Sequence, residues 1–143
     1  MRILGLDIGS KRIGVAVSDE LGLTAQGLDT VLCTNPEADV RRLSDIAKQY
    51  EVEEIVVGMP YNMNGTAGPQ VEKVRRFVNR LEGTVDVPVR EWDERLSTVA
   101  AERTLLEADL SRSKRRRLMD KVAAVIILQG YLDKKRNEAL SVQ

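Results

Sequence analysis

Two alternating apolar runs separated by only three residues constrain this chain more than any other feature. Residues 2–8 read as a strand, and so does Arg12–Ser18, with Ile13, Val15 and Val17 on one face and Gly14, Ala16 and Ser18 on the other. The intervening Gly9-Ser10-Lys11 is short enough for a hairpin loop, so the chain opens on an antiparallel pair. After the turn signal Asp19-Glu20-Leu21-Gly22, residues 24–32 supply a third, weaker strand. Strand–helix alternation then takes over. Asn35-Pro36-Glu37 is a helix start, with a capping side chain, proline at the first helical position and an acid at the positive end of the dipole. That helix runs to about Tyr50 and buries Val40, Leu43, Ile46 and Ala47. Ile55-Val56-Val57 is a short buried strand ending at Gly58-Met59-Pro60, and an irregular polar loop extends to Pro69. Residues 70–82 return to helical spacing. Val85–Trp92 is the last strand, where Pro88 marks an edge or a strand start. Ser97 caps a helix to about Ala108, and Arg117 to about Lys134 form the final one. The order β-β-β-α-β-α-β-α-α predicts an α/β domain over residues 1–143, a mixed five-stranded sheet with helices on both faces and a flexible tail from about 136 to 143.

Composition removes whole classes of chemistry. The 143 residues include no histidine and a single cysteine, Cys33. A Ser-His-Asp or Cys-His arrangement is therefore excluded, and a Cys/His zinc site effectively so. A reactive centre here must be built from carboxylates and other oxygen ligands, which favour hard divalent cations such as Mg²⁺ or Mn²⁺. No apolar stretch approaches the ~20 residues of a transmembrane helix, and Asp7 interrupts what would be the apolar core of a signal peptide. A lone cysteine fits a reducing cytoplasm. Aromatic content of 3% argues against an extended base-stacking platform, and 22 basic residues balance 22 acidic ones, so any nucleic-acid footprint must be local.

Three acidic stations stand where a structural acid is not required. Asp7 shares a strand face with Ile3 and Gly5, and the glycine two residues on suggests a close approach to the backbone. Asp93-Glu94-Arg95 closes the last strand. Asp120 lies in the first turn of the final helix, one turn from Ala123 and Ala124, whose small side chains let the helix lie close to the sheet. Taken singly, the second is a self-paired surface turn and the third a complement to the helix dipole. Meeting at one end of a sheet, they are the set that holds two divalent cations ~3.5–4 Å apart around a scissile phosphate.

At these same positions the chain resembles a known family. Gly5-Leu6-Asp7-Ile8-Gly9, Val56-Val57-Gly58-Met59-Pro60 with Asn64-Gly65-Thr66, Asp93-Glu94-Arg95-Leu96-Ser97-Thr98, and Asp120-Lys121-Val122-Ala123-Ala124 with Ile127-Leu128-Gln129 resemble, in order and across nearly the whole chain, the blocks of the YqgF/RuvX family. These are bacterial RNase H-like proteins similar to the Holliday junction resolvase RuvC. The resemblance implies an RNase H-like fold, a cytoplasmic location and a role in maturing the 5′ end of pre-16S ribosomal RNA. An older proposal for the family is resolution of branched recombination DNA. Asp7 and Asp120 match the family's metal-binding acids. The middle block carries both Asp93 and Glu94, which alternation puts on opposite faces, and Glu94 is taken with Asp7 and Asp120 as the metal set while all four acids remain catalytic candidates. The last helix of RuvC offers two acids, whereas Lys121 to Ala124 contain none after Asp120.

Substrate contacts are expected from three places. The run Ser111-Arg112-Ser113-Lys114-Arg115-Arg116-Arg117 sets cations against a helix N-terminus, which suits backbone phosphates, and Lys114, Arg115 and Arg116 are the candidates from it. The loop 60–68 offers Asn62, Asn64 and Thr66 on a glycine-flexed backbone, and Lys11 and Arg95 flank the acids. Trp92 on its strand reads as core more readily than as a base-stacking surface, and Val122, Val125, Ile126 and Gln129 as packing or a dimer face. The partner is a nucleic acid, precursor rRNA or alternatively branched DNA, with no membrane, and the protein acts as a monomer or homodimer. Two rivals complete the field. An actin/Hsp70-type ATPase also opens on Asp-x-Gly-Ser but needs two such domains, and a non-catalytic RNA-binding assembly factor would keep the fold without the chemistry.

Overall fold

The computed structural model describes residues 1–96 and 112–141, with the backbone alone for 112–118 and 141. The opening hairpin forms as its alternation requires. β1 (Ile3–Ile8) pairs antiparallel with β2 (Arg12–Ser18) from Leu4–Val17 to Ile8–Ile13. The glycine after Asp7 belongs to that turn: Gly9 N–H donates to Arg12 O at 3.0 Å, and a Cβ there would come within 2.5 Å of the same oxygen. Its close approach is to its own hairpin.

The weak third strand is divided. β3 (Ala25–Gly27) and β4 (Val31–Leu32) both pair with β2, and among the described residues the sheet has six strands instead of five. Between them Leu28 still packs on the core and its N–H donates to Val15 O, while Asp29-Thr30 interrupt the ladder. β5 (Glu54–Met59) adds parallel to β1, and β6 (Val89–Asp93) parallel to β5, giving the order β3-β2-β1-β5-β6. β6 is shorter than its sequence suggests. Pro88, which has no N–H to donate, lies just before it on the sheet edge, and its carbonyl accepts from Ile55 N–H.

α1 (Pro36–Gln49) starts where its cap dictates, the Asn35 side chain accepting from Ala38 N–H at 2.9 Å. With α2 (Pro69–Glu82) it covers one sheet face, where Leu4, Leu6, Ile13, Val15, Ile55 and Val57 meet the apolar stripes of the two helices. The opposite face belongs to α3 (Arg112–Ser141), a 30-residue helix longer than its apolar pattern at both ends. It continues past 136, where a tail is expected, supported by the Asp133–Arg136 and Lys134–Glu138 pairs. The helix expected from Ser97 lies outside the described residues.

α3 buries Ala123, Ala124, Ile127, Leu128 and Leu132 against Ile3, Ala16, Val56 and Trp92. Of the expected stripe Val122, Val125, Ile126 and Gln129, all four are half-buried, and Val125 and Ile126 pack against the margin of this cluster. Gln129 instead ties down the β2–β3 turn, accepting from Ala25 N–H and donating to Leu23 O. Trp92 is core, 6% exposed and edge-on to Tyr131. The far end of α3 is pinned by Tyr131, whose hydroxyl donates to the buried Glu54, with Lys135 completing the pair at 3.1 Å. Burial first, and the Glu54 hydrogen bond second, push the Tyr131 phenol up, so it stays a donor. Tyr131→Phe is expected to cost about 1–3 kcal/mol, read as a lower urea midpoint. Among the described residues no helix is long and apolar enough to cross a membrane.

Candidate active site

Strand alternation sends Ile3, Gly5 and Asp7 to the face under α3, so Asp7, next to last in β1, lies beneath that helix, 6% exposed. A glycine stands beside it on each neighbouring strand. Gly14 of β2 is paired directly with Asp7. A Cβ on Gly14 would lie 2.0 Å from the Asp120 carbonyl oxygen, so this glycine is the notch in which the α3 backbone sits. On the other side, Gly58 of β5 falls one step beyond the Leu6–Val57 pair, level with Asp7. A Cβ there would meet Ile127 Cδ1 at 2.4 Å and Glu94 Cγ at 3.2 Å. The two missing side chains therefore leave room for the Asp120 backbone and the Glu94 side chain over the two strands that flank Asp7, across a surface that any larger residue would fill.

Asp120 is about two turns into α3, not in its first turn, because the helix begins at Arg112. At that depth the macrodipole has little hold on it, and the simple electrostatic role for this acid loses its basis.

The pair Asp93-Glu94 is separated by the sheet. Gly58 pairs with Trp92 and Met59 with Asp93, so Trp92 points towards α3 and Asp93 to the other side. Glu94 opens a single 3₁₀ turn (Glu94–Leu96) that brings its side chain back over Gly58, with Oε1 shielded from solvent. Asp93 is committed elsewhere. The Arg95 guanidinium grips it through Nε at 3.0 Å and Nη2 at 2.6 Å, and Arg95 N–H also donates to it. Those bonds hold its carboxyl below the usual range against the opposing effect of burial.

Arg95 thus acts as a clamp. It also reaches Met63 O at 3.4 Å, and lies over the Tyr61 ring at 5.9 Å. The loop it holds is internally bonded: Asn62 Nδ2 donates to Thr66 Oγ1, and Thr66 N–H and hydroxyl both donate to Asn64 Oδ1. Asn62, Asn64 and Thr66 build this loop, whatever else they contact. Lys11 is exposed beside Asp120, lining with Ser10, Arg12 and Met119 a cavity of about 330 Å³. The side chains of Lys114, Arg115 and Arg116 lie outside the described set, although their backbone is in α3.

Among the described residues the acids do not form a ready-made metal-ligand group of three. What they share is a face, an end of the sheet and an all-oxygen donor chemistry suited to a hard divalent cation. The two glycine notches were present in the sequence as strand glycines, a signal for close backbone approach, but their partners are distant in the chain.

Residues 1–134 match the sequence profile of the RuvX family, described as Holliday junction resolvase. A protein of Symbiobacterium thermophilum is 61% identical over 133 residues, covering 93% of this chain and 92% of its own length. One of Halothermothrix orenii is 58% identical over 133 residues, covering 93% and 95%. Both carry the name "Putative pre-16S rRNA nuclease". Among solved structures, RuvC of Thermus thermophilus in complex with a Holliday junction substrate superposes with a TM-score of 0.61 at 16% identity, over 95% of this chain and 96% of that one. The fowlpox virus Holliday junction resolvase does so with a TM-score of 0.53 at 16% identity, over 94% and 99%. At such identities the likeness is one of fold, and it is the RNase H-like fold of RuvC. A profile match over nearly the whole chain, and relatives more than half identical along nearly their full lengths, establish that this chain belongs to the RuvX family.

Proposed function

We propose that this chain is a metal-dependent nuclease that hydrolyses phosphodiester bonds at the 5′ end of precursor 16S ribosomal RNA in the cytoplasm. The observation that carries the reading is the grouping of Asp7, Glu94 and Asp120 on one sheet face around the Gly14 and Gly58 notches. The name shared by the relatives favours RNA as the substrate. The all-oxygen chemistry of these side chains suits Mg²⁺ or Mn²⁺, and Asp7, Glu94 and Asp120 are the residues that would hold it. When bound, such ions supply an activated water and stabilisation of the leaving oxygen. The chain's own contribution is orientation. Ser10, Lys11 and Arg12 line the cavity that Asp120 borders, where a phosphate entering over the hairpin tip meets positive charge next to Asp120. Asp93 positions and does not touch the reacting atoms: by holding Arg95 it fixes the loop 60–68 at the mouth of the site.

Resolution of branched DNA is the second reading, favoured by the description of the family. It needs two sites placed symmetrically and hence a homodimer, whereas a monomer suffices for the RNA. One comparison separates them. Highly purified protein with Mg²⁺ or Mn²⁺ is offered a 16S precursor transcript and a four-way DNA junction, beside Asp7→Asn. Shortening of the RNA leader by the parent chain, lost in Asp7→Asn and on chelation, is the expected result. Cutting of the junction alone would transfer the assignment to recombination. Equal cutting by both preparations would expose a contaminant, and no cutting at all would leave an RNA-binding assembly factor.

A further inference from the structure

The largest cationic feature with no assigned role lies across the hairpin from the acids. Lys73, Arg76 and Arg80 recur on α2 at i, i+3 and i+7, which places them on one helical face. All three are exposed, and among the described residues none makes an ion pair or a side-chain hydrogen bond. Arg75, around the helix from them, is by contrast held by Tyr61, Glu72 and Glu91. The three cations border a groove of about 410 Å³ between α2, the start of α1 and the β1–β2 hairpin. Its floor is apolar, built from Ile8, Ile13, Cys33 and the half-buried Phe77. Among the described residues Asp39 is the one carboxylate lining it, and it is occupied by the N–H and hydroxyl of Thr34 at 3.0 and 3.2 Å.

An apolar floor beneath a row of cations is complementary to a nucleotide, with the base inside and phosphates on the rim. The occupant must be single-stranded, because a duplex keeps its bases stacked on one another and offers none to a pocket. The groove also joins the candidate active site: Gly9 and Ser10 line both this cavity and the one that Asp120 borders. A strand lying over the hairpin tip can therefore occupy the two at once.

We propose that this groove is a subsite for a single-stranded segment of the RNA substrate, with phosphates along Lys73, Arg76 and Arg80 and one unstacked base against Phe77. The proposal rests on the nuclease reading above for the identity of the strand, and it extends the substrate path from the acid face round to the α1–α2 face. It assigns function to residues that the acidic motifs do not include.

The test is binding without cleavage. With EDTA present, fluorescence anisotropy measures the full chain against a single-stranded RNA oligonucleotide and an RNA duplex of the same length, between 50 and 200 mM salt. Each phosphate contact to a single strand adds about −0.7 to the slope of log K against log salt. Lys73→Ala/Arg76→Ala/Arg80→Ala is expected to weaken single-strand binding at least about tenfold and to flatten the slope by about 2, with the duplex little affected. All three side chains are on the surface, so an unchanged thermal midpoint confirms folding. Phe77→Leu keeps most of the core volume and removes the ring. It should weaken single-strand binding by about tenfold, the scale of one base–aromatic stack, with no change in slope. Normal single-strand affinity and slope in the triple variant, or equal loss on duplex and single strand, would overturn the subsite. The two readings fail separately. A parent chain that cuts RNA while the triple variant binds normally loses only the groove, and a chain that binds as described but never cuts loses only the nuclease.

Discussion

Glu94→Gln should lower phosphodiester cleavage by about 10²–10³-fold, the scale of removing one electrostatic stabiliser from a reacting centre, while Asp93→Asn loses about tenfold at most. Both substitutions delete one negative charge at almost constant volume from adjacent residues, so sequence position alone predicts no difference. The structure separates them. Glu94 folds back over Gly58 onto the face of Asp7, whereas Asp93 points away and spends its charge on Arg95. Loss of that pair frees the clamp on Met63 and the loop, an indirect effect at the low end of the roughly 10–100-fold that outer residues have on a site, because the Asp93–Arg95 pair is partly exposed. Steady-state cleavage with saturating Mn²⁺ gives the comparison directly. An Asp93→Asn loss equal to or greater than that of Glu94→Gln would move the third ligand to Asp93 and break the site as drawn. The Asp93 interaction also carries a sign in pH. Its carboxyl is held below the ordinary 3.8, so its stabilising effect is complete above that value and fades as pH falls through the depressed one. The clamp is therefore intact at neutral pH.

Gly14→Ala is expected to be the most damaging single methyl that can be added to the sheet. The new carbon would stand 2.0 Å from the Asp120 carbonyl oxygen and 2.7 Å from its carbon, well inside contact distance. Overpacking typically costs 1–3 kcal/mol where side chains can shift. Here the obstruction is helix backbone, and α3 is anchored by Ile127, Leu128, Leu132 and the Tyr131–Glu54 bond. A loss of roughly 3 kcal/mol or more follows, a large part of the 5–15 kcal/mol that holds a typical domain together. It should appear as a lower urea midpoint at unchanged slope. Gly83→Ala is the internal control. Gly83 ends α2 at φ −74°, and an added Cβ would meet nothing closer than Arg80 O at 3.5 Å. Relief of unfolded-chain entropy makes that change neutral or stabilising by about 0.4–1 kcal/mol. Equal midpoints for the two variants would mean that α3 does not rest on Gly14.

Several elements were legible because their causes are local. The Ile13-Val15-Val17 alternation and a loop of three residues require a hairpin, and Asn35-Pro36 begins a helix wherever it is placed. The exceptions are informative. Residues 24–32 divide into two strands, because Asp29-Thr30 break the alternation that one register needs. α3 begins at Arg112 instead of Arg117, because arginine and lysine favour helix while leaving no apolar periodicity to read.

The amino-acid order by itself determined the chemistry available to this protein: without histidine, acids must carry any metal-assisted reaction, and Asp7, Asp93 and Glu94 are set at or beside strand ends, with Asp120 on the last helix. It also determined that neighbouring Asp93 and Glu94 face opposite ways, since strand side chains alternate. Which of them looks towards the Asp7 face was decided by the parallel register of β1, β5 and β6 together with the 3₁₀ turn that opens at Glu94. Likewise Gly14 and Gly58 are ordinary strand glycines until α3 and the 3₁₀ turn are laid over them. Alternation is a property of a few consecutive residues. Register and helix docking arise from contacts between residues dozens of positions apart, and only the folded chain brings those together.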